Sequence, residues 1–114
     1  MEEVFDMKVE VTKEAESRLR ALDGVIGDGC LKLAYDSEGC GCAVDGVAQL
    51  WIVSAPGEHD EPLRTEPRPI WYDRRQAWYF SETLKLDYRP SGGTFVLSSK
   101  EQIYNAAMPL IDKR

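Results

Sequence analysis

Two cysteines share one tight turn, Gly39-Cys40-Gly41-Cys42. Glycine on either side lets the backbone bend sharply, and a single intervening residue keeps the two sulfurs close. Thiolates at that spacing suit zinc, copper(I) or an iron–sulfur centre. The same triplet also reads as a glycine-rich turn carrying two small apolar side chains. A disulfide between Cys40 and Cys42 would close a very small, strained ring, so a structural bridge is not expected. The third cysteine, Cys30, starts an alternating segment and reads as a plain buried thiol.

Other candidate ligands are weaker. His59 lies in Gly57-Glu58-His59-Asp60-Glu61, where an imidazole between carboxylates could bind a hard or borderline metal, but an acidic loop with an incidental histidine is the favoured reading. Asp36, Glu38 and Asp45 flank the cysteine turn as oxygen donors or as solubilising charges. A Cys–His nucleophile pair would need Cys40 or Cys42 beside His59. The chain shows no serine nucleophile elbow, and the cysteine turn lacks the lysine of a phosphate loop. The expectation is a protein that is not an enzyme.

The elements that position the turn follow from pattern. Met7 to Val11 alternates apolar and charged residues and predicts a strand. Thr12 offers an N-cap to a helix from Lys13 to Leu22, with Ala15, Leu19 and Leu22 at helical spacing. Gly24 is expected to end it, with Gly27 and Gly29 in a loose connection. Cys30 to Tyr35 alternates again, with Leu31, Leu33 and Tyr35 on one face. Asp36 to Asp45 is a polar loop holding the cysteine turn, and Val47 to Val53 is a third strand.

Residues 54–69 carry four of the six prolines and predict an irregular surface loop. Ile70 to Tyr72 is a short strand, and Asp73 caps a brief helix from Arg74 to about Phe80. Thr83 to Tyr88 and Thr94 to Leu97 form a hairpin across Arg89-Pro90-Ser91-Gly92-Gly93. The tail from Ser98 predicts irregular packing through Ile103, Tyr104, Met108 and Leu110. Trp51, Trp71, Tyr72, Trp78, Tyr79, Phe80, Tyr88 and Phe95 are expected in the core, some of them lining an interface.

The sum is one α+β domain spanning residues 1–114. It is β-rich, with mostly antiparallel or mixed twisted sheets in a two-layer or barrel-like arrangement and two or three short helices. A chain of 114 residues, 43% hydrophobic and 30% charged, can bury one core without disulfide staples. A formal net charge of -6 with dispersed basic residues argues against a nucleic-acid partner. No apolar run approaches the ~20 residues of a membrane helix. The acidic start has the wrong sign for a leader, so a cytoplasmic protein is expected.

The order of these elements resembles the HesB/IscA-like family. The resemblance is carried by a helix after Thr12, then Leu31-Lys32-Leu33, then Gly39-Cys40 in a loop before a strand. Ile70-Trp71-Tyr72-Asp73, a short helix, Leu84-Lys85-Leu86-Asp87-Tyr88 and Thr94-Phe95-Val96-Leu97 follow in the family's sequence, so that it covers about Met7 to Ser99. It implies a compact β-rich domain that binds iron or an iron–sulfur cluster and passes it to other proteins, usually as a dimer or larger oligomer.

The family's ligands are three cysteines, and Cys40 falls on the first position. The other two form a Cys-Gly-Cys triplet near the C-terminus. Here that tail, Ser98 to Met108, has no cysteine, and the triplet stands at the first site as Cys40-Gly41-Cys42. A cluster usually takes four thiolates; two chains in a symmetric homodimer would supply them from Cys40 and Cys42. The implied partners are cluster-assembly proteins or recipient apo-proteins. The alternative is a metal-free interaction module on the same fold, presenting aromatic side chains to a partner.

Overall fold

Two mixed sheets share one apolar core. A computed structural model describes residues 7–36, 47–66, 68–80 and 82–114. The strands are β1 (Lys8–Val11), β2 (Cys30–Asp36), β3 (Val47–Val53), β4 (Asp60–Leu63), β5 (Ile70–Asp73), β6 (Thr83–Arg89), β7 (Thr94–Ser98), β8 (Ile103–Met108) and β9 (Leu110–Asp112). Helices α1 (Lys13–Ala21) and α2 (Asp23–Ile26) lie between β1 and β2, and a 3-10 helix (Arg74–Tyr79) follows β5. The four-stranded sheet has the order β1-β6-β7-β8, and the five-stranded sheet β4-β5-β2-β3-β9.

Helix α1 starts where the sequence places it. The Thr12 hydroxyl accepts a hydrogen bond from the Ala15 N–H at 3.2 Å and donates to Asp87 Oδ1 at 2.7 Å. The cap therefore also ties the helix to β6, while Ala15 and Leu19 are buried. Gly24 does not end the helical stretch but lies inside α2. The turn that follows is tight rather than loose. Gly27 has φ +55°, and a Cβ on Gly29 would stand 2.9 Å from the Val53 carbonyl oxygen. The Arg68 guanidinium bonds the Gly29 carbonyl at 3.1 Å and pairs with Asp23, and Arg114 bonds the Ile26 carbonyl at 3.1 Å. Two distant arginines thus occupy the carbonyl end of α2, where cations are favoured.

The five-stranded sheet is built around β2. Leu63, Ile70, Leu31 and Ile52 form one buried row across four strands, and Tyr72, Leu33 and Leu50 form the next. Val9, Leu86 and Leu97 of the other sheet meet Leu33, Leu50 and Ile70 around one apolar gap. On the opposite face, Pro62, Trp71, Lys32, Trp51 and Ile111 stand in register from edge to edge. Trp51 and Trp71 are only half-buried there, and so is Tyr88 on β6, whereas Tyr72, Phe80 and Phe95 lie in the core as expected. The side chains of Trp78 and Tyr79 lie outside the described residues.

The sheets are mixed, as expected, with four antiparallel and three parallel pairings among the described residues; of the two arrangements expected, the barrel is not found there, since neither sheet closes. Two other expectations need correction. Residues 54–69 are not irregular throughout, because β4 pairs antiparallel with β5. Pro62 is tolerated there because β4 is an edge strand, whose outer side needs no donor. Nor is the tail irregular: β8 pairs with β7, the chain turns at Pro109, and β9 joins the other sheet beside β3.

Candidate metal or cluster site

The connection that bears Cys40 and Cys42, residues 37–46, lies outside the described residues; its two roots do not. β2 and β3 pair antiparallel in unbroken register, from Cys30↔Val53 to Tyr35↔Ala48 and finally Asp36↔Val47. The connection therefore leaves and re-enters on neighbouring strands at one end of the sheet. Packed at that end are Phe80, edge-on to Tyr35 at 5.8 Å, and Tyr104, whose ring centroid is 5.4 Å from that of Phe80. The Gln76 carboxamide bonds the Tyr35 main chain, and the Asn105 carboxamide bonds the Ala48 carbonyl. Asp36 forms the last rung, while Glu38 and Asp45 fall outside the described residues.

Cys30 is at the other end of β2. Six residues of extended chain separate it from Asp36, roughly 20 Å at about 3.3 Å per residue. It is a free thiol, half-buried rather than fully buried as expected. Distance alone thus separates it from the roots of the 37–46 connection.

His59 lies near a different cluster. Its carbonyl accepts the Arg74 N–H at 3.0 Å, at the far edge of the five-stranded sheet. Beside it, Asp60 is held by Lys32 Nζ at 3.1 Å and by the Gly57 N–H at 2.6 Å. Asp73 is held by Arg75, whose guanidinium hydrogen bond brings its carboxyl down to about 2. These carboxylates already carry cations of their own. Among the described residues no group of three or more His, Cys, Asp or Glu side chains is arranged to hold a metal ion. No described helix is long and apolar enough to cross a membrane.

Sequence reasoning missed Gln76, Asn105 and the Lys32–Asp60 pair. Gln76 is 41 residues from Tyr35 and Asn105 is 57 from Ala48. No local pattern marks either contact.

Comparison with known proteins places this arrangement. A crystal structure from Lactobacillus salivarius, named for Fe–S biosynthesis and described as having a novel fold, superposes with a TM-score of 0.73 at 17% identity, covering 93% of this chain and 98% of that one. The structure of IscA with the [2Fe-2S] cluster gives 0.62 at 24% identity, over 81% of this chain and 85% of IscA. Escherichia coli SufA, involved in the biosynthesis of iron–sulfur clusters, gives 0.58 at 18% identity, over 80% and 77%. These likenesses show the fold. In sequence, the uncharacterized protein YqkB of Bacillus subtilis (strain 168) is 32% identical over 108 residues, covering 94% of this chain and all of YqkB. The pattern of the family described as iron–sulphur cluster biosynthesis matches residues 7–112. The chain is therefore a member of the iron–sulphur cluster biosynthesis family, the HesB/IscA-like family that its order of elements resembles.

Proposed function

We propose that this protein binds iron or an iron–sulfur cluster as cargo during cluster assembly or transfer, through the thiolates of Cys40 and Cys42. The reading is carried by where the cysteine pair falls in a chain of this family. Both thiols belong to the one connection between β2 and β3, and the rungs at its roots keep its two ends side by side. Thiolate is the ligand that iron–sulfur centres take, and no competing donor set stands among the described residues. Two thiolates per chain are too few for a cluster's usual four. A homodimer with the two connections facing each other completes the set. A site completed only by association suits cargo that must be handed to a recipient apo-protein, because separation of the subunits halves its ligands.

Anaerobic reconstitution with iron and sulfide tests this. The wild-type protein is expected to become coloured, to retain iron and sulfide through gel filtration, and to elute as a dimer. Cys40→Ser and Cys42→Ser are each expected to lose the colour. A colourless, iron-free wild-type product overturns the reading and leaves the metal-free interaction module in its place.

A further inference from the structure

β1 is an edge of the four-stranded sheet, and half of its main chain faces outward. The Lys8 N–H donates to the Glu82 carbonyl at 2.7 Å, and the Thr12 N–H donates to the Leu86 carbonyl at 3.0 Å. In a parallel ladder alternate residues bond the neighbouring strand. Lys8 and Glu10 therefore turn their main-chain groups to β6, while Val9 and Val11 turn theirs away from it. On that outer side no described main-chain group bonds the N–H or carbonyl of either valine. The side is also open: a cleft of about 680 Å³ is lined by Met7, Lys8 and Val9 together with Pro62 and Arg64.

Bare edges are usually blunted by proline, bulges or brevity. β4 carries Pro62, β8 is paired through register shifts, and β9 is three residues long. β1 runs through four residues in unshifted register. Charges that point inward also block an edge. Lys8 and Glu10 instead lie on the exposed face, while Val9 and Val11 pack against the core. Among the described residues neither Lys8 nor Glu10 has an ion pair.

We propose that β1 docks a second copy of this chain, antiparallel, with Val9 opposite Val9 of the partner subunit. The run Lys8-Val9-Glu10 is its own complement. About a twofold axis at Val9 the two valines exchange both N–H···O=C bonds. Lys8 then stands opposite Glu10 of the partner subunit, and Glu10 opposite the partner's Lys8, a favourable cross-strand pair made twice. Sliding the strands by two residues either way sets Glu10 against the partner's Glu10, or Lys8 against the partner's Lys8. Charge therefore fixes the register. One short strand a side buries little area, so the association is weak and depends on concentration. It uses no thiol and no metal, and it stands apart from the cargo reading.

Sedimentation equilibrium over a wide concentration range tests this on the full chain, kept metal-free with chelator and reductant. The wild type is expected to self-associate. Lys8→Glu and Glu10→Lys each set like charges opposite one another twice, and each is expected to weaken association about tenfold. Glu10→Lys is the sharper of the two: it makes an acidic chain less acidic, so general charge repulsion alone would strengthen association. The double exchange is expected to restore association. So is an equimolar mixture of the two single variants, each of which then meets its opposite charges in the other. Both positions are exposed, and the thermal unfolding midpoint checks that every variant folds. Amide exchange at Val9 and Val11 is expected to slow as concentration rises, while Lys8 and Glu10, already bonded to β6, stay as they were.

A wild type that remains monomeric throughout overturns the proposal. So do single variants that associate like the wild type, a mixture that stays monomeric, or association without protection at Val9 and Val11. Iron loading is a separate readout: its failure leaves this interface standing, and a monomeric metal-free chain leaves the cargo reading standing.

Discussion

Asp60 and Asp73 stand directly opposite each other across the β4–β5 ladder, two carboxylates on one face of the sheet, and each has its own cation. Lys32 Nζ is 3.1 Å from Asp60, whose side chain is 3% exposed; the Arg75 guanidinium is 2.8 Å from Asp73. Opposed like charges repel, so the pair persists through these two partners. Lys32 reaches Asp60 from β2, across β5, which makes it a brace between the centre of the sheet and its edge.

Lys32→Met leaves Asp60 buried with only the Gly57 N–H. The expected cost is about 3 kcal/mol, as for a buried charge stripped of its partner. Adding Asp60→Asn removes that charge and should recover much of the loss. Urea unfolding of the single and double variants checks both statements.

Acid stability carries the mark of Asp73. Its folded carboxyl titrates at about 2, below the ordinary 3.8, chiefly through the Arg75 side-chain hydrogen bond. The unfolded chain therefore takes up this proton first as pH falls. The stabilisation is whole above about 4 and is lost as pH drops towards 2. Arg75→Gln should raise the Asp73 titration midpoint, read by NMR, and flatten the acid limb of a stability profile across that window.

Thr12 joins a helix cap to a carboxylate. Thr12→Ala removes the acceptor for the Ala15 N–H and is expected to cost about 1 kcal/mol. It also removes the donor to Asp87, the leading cause of that carboxyl's lowered pKa. The Asp87 titration should then move upward. Thr12→Ser should restore both effects.

Cys30→Ser tests the division of labour among the cysteines. With Cys30 a strand's length from the roots of the connection, iron and sulfide content after reconstitution should match the wild type. A loss as large as that of Cys40→Ser would bring Cys30 into the ligand set.

Much of the fold is legible in the sequence because its signals are local. The Thr12 cap, the alternation of Cys30 to Tyr35, the Asp73 cap and the Gly92-Gly93 hairpin each lie within a few residues of the structure they specify. Asp73 Oδ1 accepts the Arg75 N–H at 2.9 Å, as its position before the 3-10 helix implies. β4 hides among prolines, and only its edge position makes Pro62 acceptable. β8 and β9 hide because Pro109 divides them and neither alternates cleanly; each is a strand by virtue of its partner. The parallel pairings β1–β6, β2–β5 and β3–β9 join segments that no turn connects. The candidate site divides the same way: the Cys-Gly-Cys motif is readable at once, whereas the amides of Gln76 and Asn105 reach the main chain of Tyr35 and Ala48, near the roots of the 37–46 connection, only through tertiary packing.

The late entry of β9 beside β3 bears on how the protein is made. A nascent chain can build the β2–β3 hairpin early, since its partners are close in sequence. The flank of β3 at Leu50, Trp51 and Ile52 then waits for Leu110, Ile111 and Asp112. Until those residues clear the ribosome, the hairpin offers a bare strand edge to any other chain nearby, a hazard of non-local pairing. The connection between its two strands carries Cys40 and Cys42, so both cysteines are synthesised well before the sheet to which that hairpin belongs is complete.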